Sequence, residues 1–487
     1  MLDVECKGRT SRISILSMST VRTRIAPSPT GEDIHIGNLY TALLNYAVAK
    51  RNDGKFIVRI EDTDRERLVL GSEERILRTL RDYKLAYDEG PDKPGKFGPY
   101  RQSDRLDIYK RYVLKLIHSG HAYYCFCSKE RLLELRTKQQ DQKQTPRYDK
   151  YCLTHVTNAK ERIEKGEQYV IRLNVPKDQE IIFKDLIRGM IRFDSHDIDD
   201  QVLLKSDGFP TYHLAVVVDD HLMKITHVIR AEDWISSTPK HVLLYNAFGW
   251  DLPLFAHVPL LRNPDKSKLS KRKNPVWARW YLDEGFLPEA VLNFLALMGW
   301  SHPEEKEYFS LMEFISLFEI TDVKPVGPIF DLTKLTWMNQ HYIQRLSTDS
   351  LKARLIEYYK NDHDMKTIRT QYIDSFDAIV EISKTRIKTL KDFFPLVRYL
   401  IYPPEIGKLN DEQKKVVLLL HDVFRNVSDW KSEEIFEAMK KLMSEYRSTK
   451  MPVFYVLFTG NKQGLPLPEM LEILGKDETL KRLNNMS

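Results

Sequence analysis

Cysteine is scarce in this chain. Four among 487 residues, three of them bunched at 125, 127 and 152, are too few and too close for a disulfide framework and point to a reducing compartment, the cytoplasm. No apolar run approaches the ~20 residues of a membrane span, which excludes a helical membrane protein. No Ser-His-Asp or Cys-His set can be read, so chemistry through a side-chain nucleophile is not indicated. Residues 1–20 carry Asp3 and Glu5 among their cations and have no continuous apolar centre. They are a poor secretory or organelle-targeting segment. A disordered tail, or a start artefact with Met18 as the true start, is expected there.

What remains describes a soluble globular protein: 42% hydrophobic and 30% charged residues. The chain is too long for one core, and a prior of roughly 100–200 residues per domain implies several units. A net charge of +6 and a pI near 8.8 fit a patch for a polyanion without demanding one.

Residues 23–38, TRIAPSPTGEDIHIGN, organise the rest. Pro27 and Pro29 fix two φ angles, Thr30 and Gly31 permit a sharp bend, and the chain then enters a helical stripe of Leu39, Ala42, Leu43, Tyr46 and Ala47. A strand–turn–helix corner of this kind offers unpaired N–H groups and a partial positive charge, which can hold a phosphate. His35 would add a donor, and Gly37 would leave room for a flat group. Taken alone, the stretch reads equally well as an ordinary turn with a surface histidine.

Residues 55–60 form a compact strand delivering Glu61 at its carboxyl end, where it could meet an ammonium group or merely cap the next helix, expected over 72–83. Residues 109–119 read as a helix, and strand-like runs follow at 168–175 and 190–193, so 101–207 is an α+β insertion. Cys125, Cys127 and Cys152, with either Tyr148 or His155, could form a structural zinc site; the alternative is buried thiols. The sheet is expected to resume at 206–213 and to continue through a strand at 214–218. Another strand at 225–229 would deliver Arg230, whose planar fork suits a carboxylate. The cation-rich loop 263–273 could clamp a triphosphate with Ser270 in support, or simply be solvated.

Together these segments resemble the glutamyl-tRNA synthetases of the bacterial type, class I aminoacyl-tRNA synthetases, from residue 21 onward. The resemblance is carried by RIAPSPTG with HIGN, FIVRIEDTDRER, GPYRQSDR, DGFPTYHLAVVVDDHLMKITHVIRAEDW, STPKHVLLY, PLLRNPDKSKLSKR, GFLPEAVLNFLALMGW and FDLTKLTWMN. It implies an α/β fold: a Rossmann-type parallel sheet with an α+β insertion, followed by an all-helical anticodon-binding region. The implied domains are a tail (1–20), the first catalytic half (21–100), a connective insertion (101–207) and the second catalytic half with the KLSKR loop (208–272). A stem-contact helical domain (273–347) and a helical anticodon-binding domain (348–487) complete it. In that last part the helical patterns fall at 350–360, 375–401, 411–427 and 432–447, with a final one ending near 483.

The resemblance further implies that His35, Gly37, Lys268, Ser270 and Lys271 handle ATP with Mg²⁺. Arg24, Ser28, Glu61, Tyr212 and Arg230 would hold L-glutamate, and Arg386 would help reject the glutamine tRNA. The implied partner is tRNA(Glu), and a monomer is expected. The competing readings are a glutaminyl-tRNA synthetase, a tRNA nucleoside-modifying relative and a non-catalytic tRNA-binding paralogue. Two departures stand out. Gly31 and His35 are separated by Glu32, Asp33 and Ile34, one residue more than the family pattern, and the family's next zinc-ligand position holds Thr154, with His155 one place late.

Overall fold

The computed structural model describes residues 20–269, 275–405, 409–446 and 450–486. The tail through Ser19, and the loop residues Ser270 and Lys271, lie outside the described residues. The chain divides into two compact units, Met1–Ala278 with Leu295–Phe330, and Arg279–Phe294 with Asp331–Ser487.

The first unit holds the strands β1 (Arg22–Ile25), β2 (Lys55–Val58), β3 (Ala122–Cys125), β4 (Val170–Leu173), β5 (Glu180–Asp185), β6 (Gly189–Asp194), β7 (Val202–Leu204), β8 (His227–Ala231) and β9 (Leu254–Val258). β1 and β2 run parallel, as do β8 and β9. β8 lies beside β1, where Thr226 N donates to Arg22 O at 2.9 Å. Further along that seam, Asn45 Nδ2 and Arg24 NH1 donate to Ile229 O, so side chains complete the pairing of two strands that the backbone alone does not close. Helices α1 (Ile36–Arg51), α2 (Ser72–Asp82) and α3 (Leu106–His118) belong to the same unit, and α1 packs on β1, β2 and β8. β3, β4 and β7 form a separate antiparallel sheet. The β5–β6 hairpin falls within the 101–207 range but pairs with β9 at Asp185↔Phe255, which brings Asp185 into the central sheet.

β1 would escape any search for apolar strands, because Arg22, Thr23 and Arg24 are all buried. Burial is tolerated because each arginine has a carboxylate: Arg22 pairs with Glu89 at 2.9 Å and Arg24 with Asp220 at 3.1 Å.

The expected sheet through 206–218 is not formed. Residues Tyr212–Leu222 are an α-helix, with Leu214 through Asp220 buried between α3 and the helix Thr238–Phe248. A short apolar run does not by itself distinguish a buried strand from a buried helix. Here the adjacent acids decide. Neighbouring residues of a strand face opposite sides, whereas the helix lets both acids reach Arg59: Asp220 at 2.7 Å and Asp219 at 3.6 Å. Asp219 also accepts from Arg105, Tyr109 and Gln102.

Among its described residues the second unit is helical, around a core that includes Leu287, Ile343, Phe393, Phe424 and Phe458. The expected helix over 375–401 is interrupted. Helix Phe376–Ser383 ends, and a short turn Leu390–Asp392 precedes helix Phe393–Val397. The Asp392 carboxylate takes the N–H groups of Lys388 and Thr389, which draws the backbone out of a continuous helix. The helices expected at 350–360, 411–427 and 432–447 appear as Thr348–Tyr358, Asp411–Arg425 and Ser432–Glu445.

Candidate active site

The corner between β1 and α1 is fastened on two sides. Val69 N donates to Pro29 O, Arg75 Nε to Glu32 O, and Thr79 Oγ1 to the buried carboxylate of Asp33 at 3.0 Å. On the other side Ile36 N donates to Val276 O at 2.7 Å and Ala278 N to Ile34 O at 2.9 Å, forming a small antiparallel bridge at His35 and Trp277. The extra residue between Gly31 and His35 is thus absorbed in a bend whose Asp33 is anchored to α2. Gly31 lies under the Trp277 ring, so close that an added Cβ would come within 2.4 Å of it.

His35 is the N-cap of α1. Its Nδ1 accepts from Gly37 N at 3.0 Å, which places the proton of the neutral ring on Nε2 and makes that nitrogen a donor. A Cβ on Gly37 would meet only the His35 ring within 4 Å. Both residues line a cleft of ≈ 190 Å³ together with Asn38, Thr41, Asp233, Trp234 and Lys268. Lys268 reaches Asp233 at 2.8 Å while remaining largely exposed. A histidine donor, a helix start and a lysine on one cleft are what an anionic, flat-based ligand such as a nucleotide requires.

A second cluster gathers at the strand ends. Glu61 N donates to Pro27 O, and the Glu61 carboxylate pairs with Arg59 at 3.1 Å. Burial pushes the Glu61 carboxyl above its usual range despite Arg59 and Arg24. Asp220 joins Arg24 to Arg59; burial pushes its carboxyl up, but the two guanidiniums together hold it below the usual range. Tyr212, its phenol pushed up by burial, lies within electrostatic reach of Arg230, Glu61, Arg24 and Asp220. The cluster therefore unites Arg24, Glu61, Tyr212 and Arg230. Ser28 stands exposed between buried Pro27 and Pro29, and no described hydrogen bond ties it to the others.

The two arginines differ. Arg24 is occupied by Asp220 at 3.1 and 3.2 Å. Arg230, 5% exposed, donates only to neutral acceptors: Tyr212 Oη at 3.0 Å, Thr238 Oγ1 at 2.8 Å, His241 Nδ1 at 3.2 Å and His257 Nε2 at 3.1 Å. Among the described residues no carboxylate reaches it within ion-pair distance. Thr238 and His241 lie within STPKHVLLY without a role having been read for them, and His257 lies outside every motif; each contributes a neutral acceptor, which is recognisable only in three dimensions.

At the insertion, the thiols of Cys125, Cys127 and Cys152 lie within 4.8 Å of one another. The Tyr148 hydroxyl stands among them, 3.4 Å from Cys125 and 3.3 Å from Cys127. A bond from Cys152, and after the opposing effect of burial one from Tyr148, draws the Cys125 thiol down to about 4. His155 does not join. It is exposed, stacks on Tyr151 and bonds to Thr154, because the short helix Tyr151–His155 turns it away from Cys152. In the second unit, Arg386 is exposed just beyond helix Phe376–Ser383, rather than packed between helices.

A parallel sheet with a His-x-Gly helix start and Lys268 on one cleft is the arrangement of a class I aminoacyl-tRNA synthetase core. Residues 20–337 match the family described as tRNA synthetases class I (E and Q), catalytic domain, and residues 348–487 match an anticodon binding domain. The chain belongs to this family. It is 47% identical to a glutamate–tRNA ligase of Acidothermus cellulolyticus over 482 residues, covering 95% of each chain. It is 44% identical to one of Deinococcus radiodurans, covering 95% of this chain and 97% of the relative. Among solved structures, a glutamate tRNA ligase from Elizabethkingia meningosepticum in complex with its amino acid superposes with a TM-score of 0.83 at 34% identity, covering 96% of this chain and 99% of the other.

Proposed function

We propose that this protein ligates L-glutamate to the 3′ end of tRNA(Glu) through a glutamyl-adenylate. The observation that carries this reading is Arg230. A buried guanidinium without a counter-charge is costly, and an acidic substrate side chain supplies the missing charge where a carboxamide cannot. The relatives named glutamate–tRNA ligase, matched along almost their whole length, support the same choice.

In this reading the substrate's acidic groups face Arg24 and Arg230, its ammonium faces Glu61, and Tyr212 borders the side chain. The nucleotide enters as its Mg²⁺ complex, base and ribose against α1 at Gly37. As the α-carboxylate attacks the α-phosphorus and pyrophosphate leaves, His35 Nε2–H, Lys268 and Lys271 stabilise the charge spreading over the phosphate oxygens. Lys268 must exchange its bond to Asp233 for the phosphates. A terminal ribose hydroxyl of the tRNA then attacks the adenylate. No protein nucleophile is needed.

The donor set Cys125, Cys127, Tyr148 and Cys152 fits Zn²⁺, since three thiols and a phenol occupy one small volume. Bound there, zinc would act structurally, joining β3 to the segment 148–152.

Charging assays with glutamate and glutamine on both cognate tRNAs test the function. Glutamate on tRNA(Glu) is the expected product. Preferential use of glutamine would overturn the reading.

A further inference from the structure

The groups that hold Arg230 form an ordered relay. β5 ends at Asp185, whose carboxylate accepts from His257 N at 3.0 Å and contacts His257 Nδ1 at 2.6 Å. The Asp185 carboxyl, pushed up by burial, is nonetheless held below its usual range, His257 being the chief cause. An ionised carboxylate can only accept, so the His257 proton sits on Nδ1 and Nε2 presents a lone pair to Arg230 Nε–H. On the other side of the fork, Arg230 NH1 donates to His241 Nδ1, which leaves the His241 proton on Nε2 to donate to His213 Nδ1 at 3.1 Å. Asp185, His257 and Arg230 are all buried. A proton on the inward-facing nitrogen of either His257 or His241 would point at a guanidinium N–H.

We propose that Asp185 and His257 are positioning residues for substrate selection: they fix the orientation of Arg230 through a neutral imidazole and so keep its charge available to the substrate's carboxylate. This rests on the reading that Arg230 meets that carboxylate. The arrangement has a physical logic. Were Asp185 to touch Arg230 directly, as Asp220 touches Arg24, it would neutralise the cation and remove the preference for an acid over an amide. Interposing His257 transmits orientation without charge, because the imidazole accepts the Nε–H while Asp185 fixes the tautomer. Burial drives His257 below its usual range, only partly opposed by Asp185, and drives His241 well below it, with Arg230 adding to the effect. Both rings are accordingly neutral at physiological pH. Asp185 lies in the β5–β6 hairpin, so a segment of the insertion range helps build the amino-acid site.

Aminoacylation kinetics of full-length Asp185→Asn, His257→Ala and His257→Gln, with Arg230→Leu as reference, test this. An asparagine at 185 can donate to His257 Nδ1 and favour a proton on Nε2, facing Arg230. Losing one bond to a charged group corresponds to an affinity loss of about ten-fold or more. Asp185→Asn and His257→Ala are therefore expected to raise KM for glutamate by about that factor, with kcat at saturation changing far less and the preference for glutamate over glutamine falling. His257→Gln, which can still offer an oxygen to Arg230 Nε–H, should recover part of the loss. Melting temperature and KM for ATP serve as controls of folding. If Asp185→Asn does not fold, the comparison of His257→Ala with His257→Gln decides. Should Arg230→Leu abolish glutamate selection while the Asp185 and His257 variants leave KM and selection unchanged, the positioning role is wrong and the Arg230 reading stands. Should Arg230→Leu itself leave selection intact, both fall.

Discussion

Arg24 and Arg230 are both buried at strand ends and both were expected to meet an acid, yet the protein treats them oppositely. Arg24 is neutralised by Asp220, whereas Arg230, among the described residues, is held by neutral acceptors alone. The Asp220 pair also makes stability depend on pH. A carboxylate whose folded value lies below the unfolded one, about 3.9, adds stability that is fully present above that pH and is lost as pH falls through the folded value. Asp220→Asn leaves Arg24 and Arg59 under-compensated and is expected to cost about 3–5 kcal/mol near neutral pH. Urea unfolding of both proteins at pH 7 and below pH 4 checks this. The gap between them should narrow in acid, and a gap independent of pH would refute the linkage.

At the scale of elements, two short pieces carry more than their length suggests. The bridge between 34–36 and 276–278 ties the corner between β1 and α1 to the segment just after the KLSKR loop, so the placement of His35 depends on residues far away in sequence. The turn from β3 into Phe126, the Tyr148 segment and the short helix at Cys152 share only a small core: Tyr123, Cys125, Tyr148 and Cys152 are buried, with Leu132, Leu135, Val156 and Val170 half-buried around them. Zinc bound there would contribute directly to folding. Protein purified without chelator is expected to carry about one zinc per chain, and Cys152→Ser to lose it and melt at lower temperature. Elemental analysis paired with thermal melts reads both, and metal-free wild type would count against the site.

For the whole molecule, the proposed amino-acid and nucleotide residues fall in the first unit, and Arg386 and the helical core in the second. Exposed bases of an RNA are read by stacking and edge hydrogen bonds, for which an exposed arginine is suited. Arg386→Ala is expected to weaken discrimination between the glutamate and glutamine tRNAs while leaving KM for glutamate unchanged. Charging kinetics on the two tRNAs would show it, and a shift in KM for glutamate would contradict the assignment.

How much of this was legible in the sequence follows from the range of the forces involved. The corner, the α1 stripe, β2, β8 and the candidates His35, Glu61, Arg230 and Lys268 were readable because turn residues, periodicity and strand ends act over a few neighbouring residues. Tyr212–Leu222 was misread because a short apolar run fits either structure, and only the meeting of Asp219 and Asp220 with Arg59, more than 150 residues away, selects the helix. The sequence also left Tyr148 and His155 level as fourth ligands; in the fold the Tyr148 hydroxyl stands among the thiols, while His155 stacks on Tyr151. Family and chemistry are thus determined by the chain itself, together with the candidates for the site. The tertiary structure alone decided which arginine is neutralised and which kept charged, since Asp220, His257 and Asp185 become neighbours of those arginines only when distant strands and helices pack together.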